Sequence, residues 1–174
     1  MMQIYIPVTL AMLQQLVADQ SLLPVNGTAF AVTPSLREAY AEGDDDELGE
    51  VALREAALAS LRLLAAADAV AEPDAKLPPR RAVLVADVKD ATAVTLRPDL
   101  DDAVVRIAVP VAINDVVAAY VDNAAAEADV AAAVAVIDEA DLGDEDAELT
   151  VGDAQDHDLA WYATQELPFL LELL

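Results

Sequence analysis

The chain has 174 residues, with 33 acidic and 9 basic side chains, one His, no Cys and five Gly, for a formal charge of -24. About 170 residues make one domain that buries roughly two-thirds of its unfolded surface; without Cys there is no disulfide frame, thiolate nucleophile or Cys-based zinc site, and one His cannot build a multi-His metal centre. Charge of this sign repels phosphate backbones and anionic membrane surfaces, so neither nucleic acid nor membrane is expected as a partner.

In chain order, Met2 to Ile6 alternates apolar side chains in a β-rich run and predicts a strand that Pro7 ends. Thr9 is placed to cap a helix from Leu10 to about Asp19, with Leu10, Leu13, Leu16 and Val17 on one face. Asn26-Gly27 signals a tight turn, and Thr28 to Val32 a second strand. Thr33-Pro34 opens another helix running to Gly43, with Pro where its missing N–H costs nothing. The clearest helix follows, over residues 43–72. Asp44, Asp45, Asp46 and Glu47 crowd its start, where the macrodipole favours negative charge, and Leu53, Ala57, Leu61 and Leu64 form its stripe.

Three Pro in a ten-residue stretch predict an exposed loop over about 72–81; neither side of it looks large enough to prefer independent folding, so residues 1–174 read as one globular domain. Arg81 to Val88 is a near-continuous β-branched run of the kind found in buried strands, and Val104 to Pro110 is another. Ala112 to about Val117 reads as helical, then as a strand through Val121. A helix capped by Asn123 runs through the Ala- and Val-rich segment to Ala140. Residues 141–158 read as an acidic loop, Leu159 to Tyr162 as a last strand, and the apolar tail after it as a short terminal turn or helix broken by Pro168. That tail predicts a core-docking segment, with a homodimer patch as the alternative. The fold class expected is α+β: a two-layer sandwich with a mixed sheet of five or six strands and helices mainly on one face. Pro7-Val8-x-Leu10 and Pro110-Val111-x-Ile113 hint at a ferredoxin-like duplication.

Apolar content is 56%, yet the excess is mostly Ala in short blocks. The cleanest run, Val130 to Ile137, falls far below the roughly 20 residues a bilayer requires. The N-terminal segment has neither a basic region nor a continuous apolar one, so no signal peptide is read and a cytoplasmic location is expected. Asp outnumbers Glu by 21 to 12, and seven Arg stand against two Lys. Salt adaptation and high-GC codon usage both produce that bias; the second needs no special physiology.

Candidate chemistry is sparse. The five Gly are scattered, without the clustering that phosphate loops need, and no cofactor is expected. Ser21, Ser35 and Ser60 lie in no nucleophile elbow, and a triad would have only His157 as base. His157 sits between Asp156 and Asp158, which favour the imidazolium and are placed to orient the ring; the ordinary alternative is a solvated loop His. The acidic clusters at 44–47 and 138–148 match no calcium-loop spacing, so no metal site is assigned. Among 33 acids, a carboxylate pair for glycoside chemistry carries almost no evidential weight. Arg37 and Tyr40 share a helix face, and Trp161 and Tyr162 stand together near the end; such amphipathic groups line clefts or partner surfaces, or simply bury their bodies at the sheet–helix boundary.

At Val25 to Tyr40, Arg80 to Val88, Arg97 to Val111, Asp141 to Glu148 and His157 to Leu167, the chain resembles a family of small acidic actinobacterial proteins of unknown function. The resemblance covers nearly the full length. It implies an actinobacterial, cytoplasmic protein, points to codon usage as the source of the acidity, and brings no catalytic residues with it. The expected function is that of a non-enzymatic binding or accessory module, engaging a protein partner or small ligand through Arg37, Tyr40, His157, Trp161 and Tyr162. Two alternatives stand beside it: a carboxylate-based acid/base enzyme assisted by His157 and a divalent cation, and a nucleic-acid mimic with acids arrayed on one face.

Overall fold

The structure, a computed structural model, describes residues 2–40, 42–70 and 77–174. Strand β1 (Met2–Val8) runs through Pro7 instead of ending there, with Pro7 opposite Val83. Thr9 accepts the Met12 N–H and caps helix α1 (Leu10–Asp19), whose Leu10, Leu13 and Leu16 are buried. The two-residue strand β2 (Ser21–Leu22), a 3-10 turn over Val25–Gly27 and strand β3 (Thr28–Phe30) follow. Asn26 and Gly27 take φ values of 57° and 68°, as the tight-turn signal requires. A Cβ at Gly27 would lie 2.8 Å from the Ile107 carbonyl oxygen, so only Gly fits there.

Thr33 caps helix α2 (Pro34–Ala39), and its hydroxyl also reaches the Asp102 carbonyl. Asp44 accepts the Glu47 N–H at 2.9 Å and so caps helix α3 (Asp45–Val70). Most of the predicted Pro-rich loop lies outside the described residues; residues 77–81 carry no regular structure. Then come β4 (Ala82–Val88), β5 (Val94–Leu96), β6 (Val104–Ile107), β7 (Val111–Ala112), β8 (Val116–Val121), α4 (Glu127–Asp141), α5 (Glu145–Gln155), β9 (Ala160–Ala163) and α6 (Leu167–Glu172).

One sheet has the strand order β5-β6-β3-β1-β4-β8-β9, and β2 pairs with β7 in a second. Among the described residues every pairing is antiparallel, so the sheet is not mixed, and it has seven strands where five or six were expected. The helices are not gathered mainly on one face either. Ile4, Ile6 and Val8 of β1, with Leu84 of β4 and Val121 of β8, pack against α1 and against Leu167 and Leu170 of α6. On the opposite face, Phe30, Val83 and Val104 pack against Leu36 of α2 and Leu48, Ala52 and Ala56 of α3. The cause is visible in β4, where Ala82 to Ala86 are all buried: a strand apolar at consecutive positions must be covered on both sides. Leu61 of α3 anchors a third cluster with α4 and α5, formed by Val130, Ala133, Ile137, Val151 and Ala154.

Two further expectations change. The acidic stretch 141–158 contains a helix, because Asp144 caps it by accepting the Ala147 N–H and Glu145, Asp146 and Glu148 fill its first turn, while Ala147, Val151 and Ala154 bury one narrow stripe. Between Ala112 and Val117 there is only a 3-10 turn (Ile113–Asp115) before β8 begins. The two Pro-Val segments therefore fall on unlike elements: Pro7-Val8 close a central strand before a ten-residue helix, and Pro110-Val111 lead into a two-residue strand and that turn. The apolar tail does dock on the core through Leu167 and Leu170, leaving Phe169 and Leu173 exposed.

Ser60 joins α3 to the sheet. Its fully buried hydroxyl donates to the Val8 carbonyl at 2.7 Å and accepts the Ala82 N–H at 3.1 Å, bridging the last rung between β1 and β4. It is a structural hydroxyl rather than a nucleophile.

Candidate binding cleft

Alternation along β1 sends Ile4 and Ile6 to one face and Tyr5 to the other, beside α3. On β8 the same rule puts Tyr120 on that face, while Ala119 and Val121 point into the core on the other. Tyr5 pairs with Val85, and Tyr120 with Val83, so the two phenols straddle β4. Small residues at Ala52 and Ala56 let α3 sit close over this part of the sheet. Its Asp46, Gly49, Glu50 and Leu53 fall at helical spacing along the flank.

Between that flank and the sheet opens a cleft of about 700 Å³, lined by Gln3, Tyr5, Tyr120, Arg37 and the four α3 residues just named, among others. Gly49 shapes it. A Cβ at this position would lie 2.9 Å from the Tyr5 hydroxyl oxygen, so the glycine leaves room for the phenol at a helical position where Gly costs about 1 kcal/mol relative to Ala. The Tyr5 hydroxyl makes a single long bond, 3.4 Å to the Gln3 side-chain oxygen. Burial pushes its pKa up, and the neighbouring Tyr120 and Asp46 push it further, so the phenol stays protonated and presents an O–H donor. Arg37 is bonded to Asp45 at 2.5 Å, and both line the cleft.

A second cleft of about 530 Å³ shares Glu50 and Leu53 and continues along α3 to Arg54, Arg81, Gln155, His157 and Leu159. Arg81, one of its lining residues, belongs to a buried ion pair. Arg81, on the residue before β4, donates from Nε to Asp122 Oδ2 at 2.8 Å and from Nη2 to Oδ1 at 2.7 Å, and its backbone N–H also reaches Oδ2 at 2.8 Å. Of the remaining guanidinium donors, Nη1 gives one to Gln155 Oε1 at 2.9 Å and Nη2 gives its second to the His157 carbonyl at 2.8 Å. Both charges are sealed from water, with side-chain exposures of 1% and 0%. This network fixes the junction between α5 and β9 against the sheet.

The five residues singled out from the sequence do not converge on one spot. Arg37 lines the first cleft and His157 the second. The His157 ring is held by Asp129 of α4 at 2.7 Å, rather than by the flanking Asp156 and Asp158. Trp161 pairs with Tyr120 across β8 and β9 and stands half exposed on the same face. Tyr162 points to the other face and packs against the core around α1 and α6. Tyr40 ends α2 with half its surface in water, and it is not among the residues lining the first cleft. Ser35 donates to Asp102 at 2.6 Å, which ties α2 to the loop before β6.

Tyr5, Tyr120, Gly49 and the Arg81–Asp122 pair were not singled out from sequence. The signals were present: an isolated Gly inside a strong helical pattern, a Tyr between two Ile in a strand, and opposite charges at the ends of two β-rich runs. None of them names its partner without the sheet register.

Among the described residues no group of three or more His, Asp or Glu is placed to hold a metal ion, and no helix is long and apolar enough to cross a membrane. Glu55 is pushed above the usual carboxylate range by burial and by Asp101, and it is not among the residues lining either cleft. No curated protein and no solved structure was found to match the chain. A family model does, over residues 2–171, and the chain therefore belongs to DUF6912, a family of unknown function.

Proposed function

We propose that the protein is a non-enzymatic binding module for a small ligand, with the cleft between α3 and the sheet as its site. The observation that carries this is the pairing of Gly49 with Tyr5: a helix glycine makes room for a phenol whose hydroxyl faces the cleft and whose one hydrogen bond, to Gln3, is long. A half-buried donor of this kind has capacity for a ligand acceptor or an ordered water. The carboxylate whose acidity is clearly weakened by burial, Glu55, stands apart from both clefts, which favours binding over acid/base chemistry. The continuous seven-stranded sheet supports reading the whole chain as one domain, and the family resemblance noted above is what supports a cytoplasmic, actinobacterial setting.

A fragment screen followed by amide chemical shifts tests the reading. Saturable shifts clustered on Tyr5, Gly49, Leu53 and Tyr120, and reduced in Tyr5→Phe, are expected. Hits scattered over the surface with none saturating at these amides would overturn it.

A further inference from the structure

The cleft is one-sided in charge. Asp45, Asp46 and Glu50 bring three carboxylates to it from the start of α3, and Arg37, already bonded to Asp45, is the cation among its lining residues. Asp46 and Glu50 are four apart on one helix face, both exposed, and neither enters an ion pair among the described residues. Opposite them stand the two phenols, with Leu53 as an apolar wall.

We propose that the cleft takes an organic monocation with an apolar body, an alkyl- or arylammonium, with the charged head beside Asp46 and Glu50 and the body against Tyr5, Tyr120 and Leu53. This rests on the cleft being a ligand site, as argued above, and adds the class of ligand. The two halves of the lining select for that combination. An anion meets the carboxylates and a protein of net charge -24, and a neutral apolar molecule gains nothing from the two carboxylates, which stay hydrated beside it. Tyrosine rings attract cations through their quadrupole, so the aromatic wall adds to the charge term. The protonated state of Tyr5 fits the same picture, since Asp46 contributes to holding that proton.

The test uses the full chain labelled with nitrogen-15, in about 0.15 M salt so that attraction to the general acidity is screened beyond a Debye length of about 8 Å. Three probes of matched shape are titrated: benzyltrimethylammonium, benzyl alcohol and phenylacetate. Saturable shifts at the Tyr5, Gly49, Leu53 and Tyr120 amides are expected with the cation alone. Glu50→Gln and Asp46→Asn should each weaken its binding about three-fold, the scale of a partly exposed charge contact. Glu139→Gln, on the far helix α4, should leave it unchanged. Equal response to all three Glu and Asp substitutions would show diffuse attraction to an acidic surface and overturn the proposal. Saturation at the same amides by benzyl alcohol or phenylacetate, as strong as by the cation, would overturn the ligand class while leaving the cleft as a binding site. No localised shift with any probe would overturn the ligand class, and with no hit from the fragment screen as well it would overturn the cleft as a binding site too.

Discussion

Replacing Asp122 with Ala leaves the Arg81 guanidinium inside the protein without its anion. The carboxylate accepts three hydrogen bonds from Arg81, two from the guanidinium and one from the backbone, and both side chains are shut off from water. Removing one partner of such a pair costs about 3–5 kcal/mol, because the remaining charge is neither solvated nor paired. Against a total stability of about 5–15 kcal/mol, that is a large fraction. Urea unfolding followed by far-UV circular dichroism measures it: with a slope of about 2 kcal/mol per molar, the midpoint should fall by roughly 2 M. Arg81→Met combined with Asp122→Leu removes both charges while keeping apolar volume. That double variant should be more stable than Asp122→Ala alone, although the His157 carbonyl and Gln155 lose their donor. A loss under about 1 kcal/mol for Asp122→Ala, or a double variant no better than the single one, would refute the description of this pair as buried and mutually dependent.

Ser60→Ala strands the Val8 carbonyl and the Ala82 N–H in the interior, and should cost about 2–3 kcal/mol in the same assay. Gly49→Ala forces the Tyr5 hydroxyl aside; in a Tyr5→Phe background the same change should become neutral or stabilising by up to about 1 kcal/mol, since Ala is the better helix former. Tyr5 holds its proton above the ordinary value near 10, through burial first and then Tyr120 and Asp46. Its contribution is thus complete below pH 10 and is lost as pH rises through the raised folded pKa, because the unfolded phenol ionises first. Titration of tyrosinate absorbance should show one phenol ionising late, and Tyr5→Phe should flatten the alkaline fall in stability. Gly27→Ala meets both a positive φ and the Ile107 carbonyl, and should destabilise the fold by about 1–3 kcal/mol in thermal unfolding.

Local chemistry was legible in the sequence wherever it is settled within one element. Thr9 caps the helix it was expected to cap, and Thr33-Pro34 opens α2 with Pro34 in its first turn. The turn at Asn26-Gly27 is where the dipeptide placed it. Helix α5 was missed because its buried stripe is only Ala147, Val151 and Ala154, too small and too acidic in its surroundings to show as an apolar period. The number of faces covered was within reach as well: a run such as Ala82 to Ala86, apolar at every position, already asks for cover on both sides of the sheet.

Local order along the chain therefore specifies the helices and strands held by their own caps, turns and periods, and composition denies the chemistries that need Cys or several His. Tertiary structure alone decided which of them meet. Arg81 and Asp122 lie 41 positions apart, Ser60 stands 52 from Val8 and 22 from Ala82, and the Gly49–Tyr5 contact depends on where a helix crosses a strand. Side chains at such separations are brought together by antiparallel register and by the packing of α3 on the sheet. Both are settled by the total burial of many apolar groups, and no local spacing in the chain encodes that sum.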